Sequence, residues 1–279
     1  MKKHCIALLC LVAVTTAVKA QTPLVGTGSS YTSIFNTPTT VTYDLPNPPG
    51  LAGIAVLNGT ATGSAGIWDL SAQGGANASL LGLGLLESGA QTELTATSLK
   101  FNVNNDNNTL LGLLGVGASV HYRWQATAYF DTPGSVLGFA DQTTYNISFF
   151  VDGNDGLLGS IAGLNPSFSF ELIDGSGNAL ASQSSGTLIN IAGLLGTGVE
   201  TGTVNVNYTV SGTVPTGPLG IRFTGDATVG ATALGAGTEF ATISDVNITA
   251  TPIPEPAGLM LITLAGMAAT LVRHRRALP

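Results

Sequence analysis

The sequence predicts an all-β protein whose body is an antiparallel β-sandwich, and three observations carry that expectation. Several segments alternate apolar and polar residues with the period of two that a strand with one buried face requires. Gly, Thr, Ser and Asn are abundant and only 9% of the 279 residues are charged, so the chain lacks the Lys and Glu that coat surface helices. No stretch of the body keeps a long amphipathic helical period. Two further elements flank the sandwich, an N-terminal signal peptide and a single C-terminal transmembrane helix.

The first element is the leader. Met1-Lys2-Lys3-His4 is a basic start, "CIALLCLVAVTTA" is an apolar run, and Val18-Lys19-Ala20 puts a small residue where a secretory signal is cut. This predicts a signal peptide over residues 1–20, passage through the secretion translocon, and a mature chain that begins at Gln21. Cys10 follows Leu8 and Leu9 rather than a small residue, which argues against a lipoprotein. Both cysteines, Cys5 and Cys10, lie in the leader, so the mature chain can form neither a disulfide nor a thiolate metal site.

The body, residues 21–251, has about 230 residues, enough for one large sandwich or two small domains. Its clearest strand is "SVHYRWQATAYF", where Val120, Tyr122, Trp124, Ala126, Ala128 and Phe130 alternate with His121, Arg123, Gln125 and Thr127. "TTYNISFFV" puts Tyr145, Ile147, Phe149 and Val151 on one side, and "SFSFELI" does so with Phe168, Phe170 and Leu172. "DGSGN", Asp174 to Asn178, supplies a hairpin turn. "TVNVNYTVSG" repeats the rule with Val204, Val206, Tyr208 and Val210, and "PLGIRF" and "FATISDVNIT" read as closing strands. Four Leu/Gly segments break the alternation: "LLGLGLL" at Leu80, "LLGLLGVG" at Leu110, "GLLGSIAGL" at Gly156 and "IAGLLGTG" at Ile191. Their irregular spacing argues against a solenoid. They are expected to be loops or short turns folded over the open ends of the sandwich, the alternative being exposed apolar patches.

The last element is the tail, "TPIPEPAGLMLITLAGMAATLVRHRRALP". Its apolar run, Ala257 to Val272, makes a helix of about 24 Å, long enough for a thinned bilayer whose core is ordinarily about 30 Å. Arg273, His274, Arg275 and Arg276 follow at once, a cluster that holds that end on the cytoplasmic side. A helix buried in a soluble core fits the length but explains neither the arginines nor the prolines. The order of leader, body, Pro254-Glu255-Pro256, short apolar helix and arginine tail resembles that of PEP-CTERM proteins, with Ile253 where the motif usually has valine. The resemblance covers about the last thirty residues. It implies that residues 252–279 are a sorting segment read by an exosortase-type enzyme, with Pro254, Glu255 and Pro256 the sorting motif and Arg273, Arg275 and Arg276 a cytoplasmic anchor. It further implies an exported, inner-membrane-anchored precursor that ends at the cell surface or outside the cell. There it would act in a biofilm or matrix where extracellular polysaccharide is a candidate partner. Two prolines enforce an extended backbone, the form a processing cleft grips.

From Thr143 to Ala250 the order of strands and turns is also similar to that of jelly-roll, galactose-binding-like sandwiches. That likeness rests on no ligand motif, and fold does not settle function.

Chemistry narrows the rest. The body holds three basic residues, Lys100, Arg123 and Arg222, against fifteen acids, which excludes a nucleic-acid footprint. Its one histidine, His121, sits mid-strand beside Arg123, outside any nucleophile-elbow motif, and reads as a solvent-facing residue. Paired carboxylates for glycoside hydrolysis are not marked by any pattern. "NNDNN" and "DGNDG" carry oxygen ligands and glycine as calcium loops do, with Asp106, Asp152, Asn154 and Asp155 the candidate calcium ligands, but ordinary turns need the same residues. Trp124 and Tyr122 share the apolar side of their strand and Trp68 is ambiguous, so an aromatic sugar platform is poorly supplied. His121, Arg123, Gln125 and Tyr129 form the candidate ligand face. The expected function is a non-enzymatic, exported structural or binding protein of the surface or matrix. A carbohydrate-binding module is the alternative, with a secreted hydrolase behind both.

Overall fold

The computed structural model describes residues 20–43, 52–80, 83–105, 119–153, 167–184, 200–230 and 238–253, and these hold fifteen strands and no helix. They are β1 (Thr22–Val25), β2 (Thr39–Thr42), β3 (Ala52–Ala65), β4 (Trp68–Leu80), β5 (Leu83–Leu94), β6 (Ser98–Asn105), β7 (Ser119–Tyr129), β8 (Asp131–Thr132), β9 (Ser135–Val136), β10 (Thr143–Gly153), β11 (Ser167–Ile173), β12 (Ala179–Ser184), β13 (Glu200–Val210), β14 (Gly220–Gly230) and β15 (Thr238–Pro252). Thirteen form one antiparallel sheet in the order β12-β11-β14-β7-β4-β5-β6-β15-β10-β13, with β3 on β4, β2 on β5 and β1 on β15. The sheet curls until β12 and β13 approach, giving a nearly closed, barrel-like sandwich. β8 and β9 make a separate two-stranded ribbon.

Alternation places the core. Along β7, Val120, Tyr122, Trp124, Ala126 and Ala128 are buried while His121 and Arg123 are exposed. The buried rows of the two walls meet between them. Phe149 of β10 packs on Phe170 of β11 and Phe223 of β14, with ring centroids 4.8 and 5.1 Å apart. Trp124 stacks on Phe240 of β15 at 4.8 Å. Such aromatic pairs contribute about 0.5–1.5 kcal/mol each beyond the area they bury. Both indoles donate to backbone oxygens, Trp68 to Ile34 and Trp124 to Asn102, each at 2.7 Å, so neither N–H is stranded in the apolar interior. Trp68 therefore belongs to the core together with Tyr122 and Trp124. The segment before β2 closes one end, where Tyr31 meets the edge of Phe130 and Phe35 stacks on Trp68.

Every alternating segment read from the sequence is a strand, and "DGSGN" turns β11 into β12. The Leu/Gly segment at Leu80 is a correction. Leu80 ends β4 and Leu83–Leu94 is β5, with Leu80 opposite Leu83 and Ala78 opposite Leu86, so most of "LLGLGLL" lies in strands rather than in an end loop. Ladder partners on neighbouring strands settle what side-chain contrast does not. The other three Leu/Gly segments, the leader before Ala20, and residues 254–279 with the expected transmembrane helix lie outside the described residues. No helix among the described residues is long and apolar enough to cross a membrane.

Candidate functional site

The polar side of β7 continues across its neighbours. On β14, Thr228 lies opposite His121, Asp226 opposite Arg123, Thr224 opposite Gln125 and Arg222 opposite Thr127. On β4, Gln73 lies opposite Arg123, Ser71 opposite Gln125 and Asp69 opposite Thr127. The period of two that buries Tyr122 and Trp124 thus gathers hydroxyls, amides and charges from three strands on one outward face.

A hydrogen bond and an ion pair order it. His121 Nε2 lies 2.9 Å from Asp226 Oδ1, a diagonal contact, and both side chains remain open to solvent. Arg222 donates through Nε to Glu171 Oε2 at 2.6 Å, with a second guanidinium nitrogen 2.5 Å from the same oxygen. Surface pairs of this kind contribute about 0–1 kcal/mol, so they orient the face more than they hold the fold. Among the described residues His121 is joined to Asp226 and to no serine hydroxyl.

Not all of the sequence-selected quartet comes together. His121, Arg123 and Gln125 are successive outward residues, but Tyr129 stands eight positions from His121, about 26 Å along an extended strand. Its ring lies over Gly220, where an added Cβ would meet Cδ1 at 2.9 Å, and its hydroxyl reaches toward Gly177. Tyr129 is half-buried and covers glycine backbone at the far end of this outward row, while Asp226 joins the face beside His121. Asp226 and Glu171 were missed by sequence reasoning. The alternation Arg222, Thr224, Asp226, Thr228 in "GIRFTGDATVG" was the signal that would have placed Asp226.

Most of the other candidates lie outside the described residues. Asp152 lies near the end of β10, opposite Thr201 and Thr242, while Asp106, Asn154 and Asp155 lie outside the described residues. Among the described residues no three His, Cys, Asp or Glu side chains form a group able to hold a metal ion. Pro254, Glu255, Pro256, Arg273, Arg275 and Arg276 also lie outside them. Val136 is the single strongly exposed large apolar side chain among the described residues.

No family model matches the chain, and no curated protein matches it significantly. Among solved structures it is similar to a cyclase from Fischerella sp. TAU, at 15% identity over 61% of this chain and 77% of that one, with a TM-score of 0.31. An apo-form cyclase from Fischerella sp. gives 15% identity over 86% and 100%, TM-score 0.32. TmCBM61 in complex with beta-1,4-galactotriose gives 11% identity over 54% and 68%, TM-score 0.23. Likenesses this distant carry no argument about activity or ligand.

Proposed function

We propose that this chain is an exported, non-enzymatic protein of the cell surface or extracellular matrix, sorted and processed through Pro254-Glu255-Pro256. The observation that best supports this reading is where the two ends of the body lie. β1 begins at Thr22, just after the expected leader, and pairs with the last strand, Thr22 opposite Ala250 and Pro23 opposite Thr249. The Gln21 amide donates to the Thr249 hydroxyl. The backbone N–H of Ile253, the residue before the motif, still donates to Gln142 at 2.6 Å. Both flanking segments therefore join the sandwich at one pole. A body tethered there keeps its far pole and its polar face free, and the motif follows directly on Ile253, the last described residue. An exosortase-type enzyme, the secretion translocon and the membrane are the partners of this reading.

Its test is mass spectrometry of the mature C-terminus from cells that carry an exosortase-type enzyme and from cells that lack it. The expected product has lost the arginine tail only when the enzyme is present, and Pro254→Ala with Glu255→Ala keeps the tail. Surface-located protein that still ends at Pro279 in the presence of the enzyme overturns the reading.

The second reading is a carbohydrate-binding module. The outward group of His121, Arg123, Gln125 and Asp226 favours it, because hydrogen-bonding side chains are what a sugar's hydroxyls require.

A further inference from the structure

The edge of β15 has a gap. β6 pairs with β15 from Val103 opposite Thr238 to Ser98 opposite Ser244, and β1 takes up the same strand at Val25 opposite Ile248. Between the two, no described strand pairs with Asp245, Val246 and Asn247 along that edge, while β10 runs past on the other side with a bulge between Ser148 and Phe150. The loop after β1 and the turn before β6 wall the gap into an open cavity of about 270 Å³. We propose that this notch binds one neutral sugar ring. The proposal rests on the carbohydrate-binding reading above and gives it a site away from β7.

The rim is rich in oxygen, and its Asp245 side is held in place. Thr27, Ser33 and Thr97 bring hydroxyls, which both donate and accept, and Asp245 brings a carboxylate, which accepts. Asp245 is turned out of the strand with φ of 52°, a left-handed conformation rare for a residue with a side chain. Asn247 Nδ2 donates to the Asp245 carbonyl at 2.8 Å, which fixes that turn. Its Oδ1 occupies the space beside Gly26, where an added Cβ would come within 2.0 Å. Side chains fixed before a ligand arrives leave less ordering to be done on binding.

Apolar residues share the lining. Ile34 and Val246 line the notch and are buried, and the hydroxyl of Tyr31 is committed to Thr132 and Ser135. A lining that joins many hydroxyls to a few apolar side chains is complementary to a pyranose, which carries both hydroxyls and C–H groups. The volume falls just under the about 300–1,000 Å³ of drug-sized pockets, which selects one ring rather than a long chain. The lining contains Asp245 and no Lys, Arg or His, so an acid sugar meets like charge.

The test is hydrogen exchange read by mass spectrometry on the full chain, held in a detergent without a sugar headgroup. Glucose, galactose, mannose and xylose are added in turn, with glucuronate and calcium chloride alone as controls. At least one neutral sugar should slow exchange in peptides covering residues 24–36, 95–98 and 243–248. Asp245→Asn tolerates the left-handed backbone, and Thr97→Val changes an exposed hydroxyl to a methyl. Each should weaken that protection about tenfold in sugar concentration at an unchanged melting temperature, since a charge-assisted or neutral hydrogen bond is lost. Protection confined to β7 and β14 overturns the notch and leaves the carbohydrate-binding reading standing. No protection by any sugar overturns both. Equal protection by glucuronate, or protection of these peptides by calcium alone, overturns the notch.

Discussion

Asp174 organises the hairpin between β11 and β12. Its Oδ1 accepts from the backbone N–H groups of Ser176 and Asn178, both at 2.9 Å, and its Oδ2 accepts from Asn178 Nδ2 at 3.0 Å. The side-chain amide of Asn178 is the main reason its carboxyl sits below the ordinary value of 3.8, and the backbone N–H groups add to it. Because the folded state has the lower pKa, the unfolded chain takes up the proton first as the medium is acidified. The contribution is complete above about pH 4 and drains away as the pH falls through the folded value. Asp174→Asn keeps a turn-forming side chain but removes the charge, so it should lower the denaturation midpoint at neutral pH, and the gap from the parent should close as the pH falls below about 4 and through the folded value. Urea unfolding across that range measures it, and a gap that stays constant or widens on acidification excludes the mechanism. The turn was legible in the sequence because Asp, Gly and Asn each have a local reason to be there. The choice of Asp174 as acceptor for three donors was not, since it depends on where the chain closes.

At the scale of elements, β4 shows why half of the sandwich was hidden. Along one edge it pairs with β7 from Trp68 to Gln73 and with β5 from Gly75 to Leu80, while β3 follows it along the other edge. The exchange of partners falls on Gly74, whose φ of 91° is open to glycine and whose added Cβ would lie 1.9 Å from the carbonyl oxygen of His121. Gly74→Ala therefore forces both a strained backbone and a clash with neighbouring backbone at the corner of the sheet. We expect a loss of about 2–4 kcal/mol, since the left-handed conformation alone costs about 1–2 kcal/mol. At about 2–4 °C per kcal/mol for a domain of this size, the melting temperature should fall by roughly 4–16 °C. Calorimetry checks it, and an unchanged transition would mean that the corner is built another way. From β7 onward, Val, Ile, Tyr and Phe alternate with Asn, Thr and Ser, and pattern alone located the long strands, though not the short β8 and β9. In β3 to β5 the residues are mostly Ala, Gly, Ser, Thr and Leu, so the contrast between faces is weak and the backbone ladder decides. The same limit applies to the candidate site. One strand's polar residues were readable, but Asp226 and the gap beside Asp245 arise from which strands become neighbours.

For the whole molecule, the decisive strand is the last one. β15 pairs with β6 through Thr238 to Ser244, with β10 through Thr242 to Pro252, and with β1 through Ile248 to Ala250, so it ties together strands drawn from nearly the full length of the chain. Its buried residues Phe240, Ile243, Val246 and Ile248 belong to the common core, and Phe240 stacks on Trp124 across the two walls. Contacts of such long sequence separation form late, because their loop-closure entropy must be overcome first. The body cannot complete its core until residues 238–253 are present. Among the described residues, the hydrogen bond from Ile253 to Gln142 is the last one along the chain. Two truncations separate the role of the strand from that of the tail. A chain ending after residue 253 should melt cooperatively within about 2 °C of the full chain, a shift of under about 1 kcal/mol. A chain ending before residue 238 should show no cooperative transition, because four large buried side chains at about 1.5–3 kcal/mol each, together with three ladders, exceed the about 5–15 kcal/mol by which domains are stable. Thermal melts by near-ultraviolet circular dichroism, which reports the packing of Trp68 and Trp124, distinguish the two. A cooperative melt in the shorter chain would show that the other strands close without β15. A large drop in the longer one would show that the tail is part of the fold rather than a segment that processing can remove.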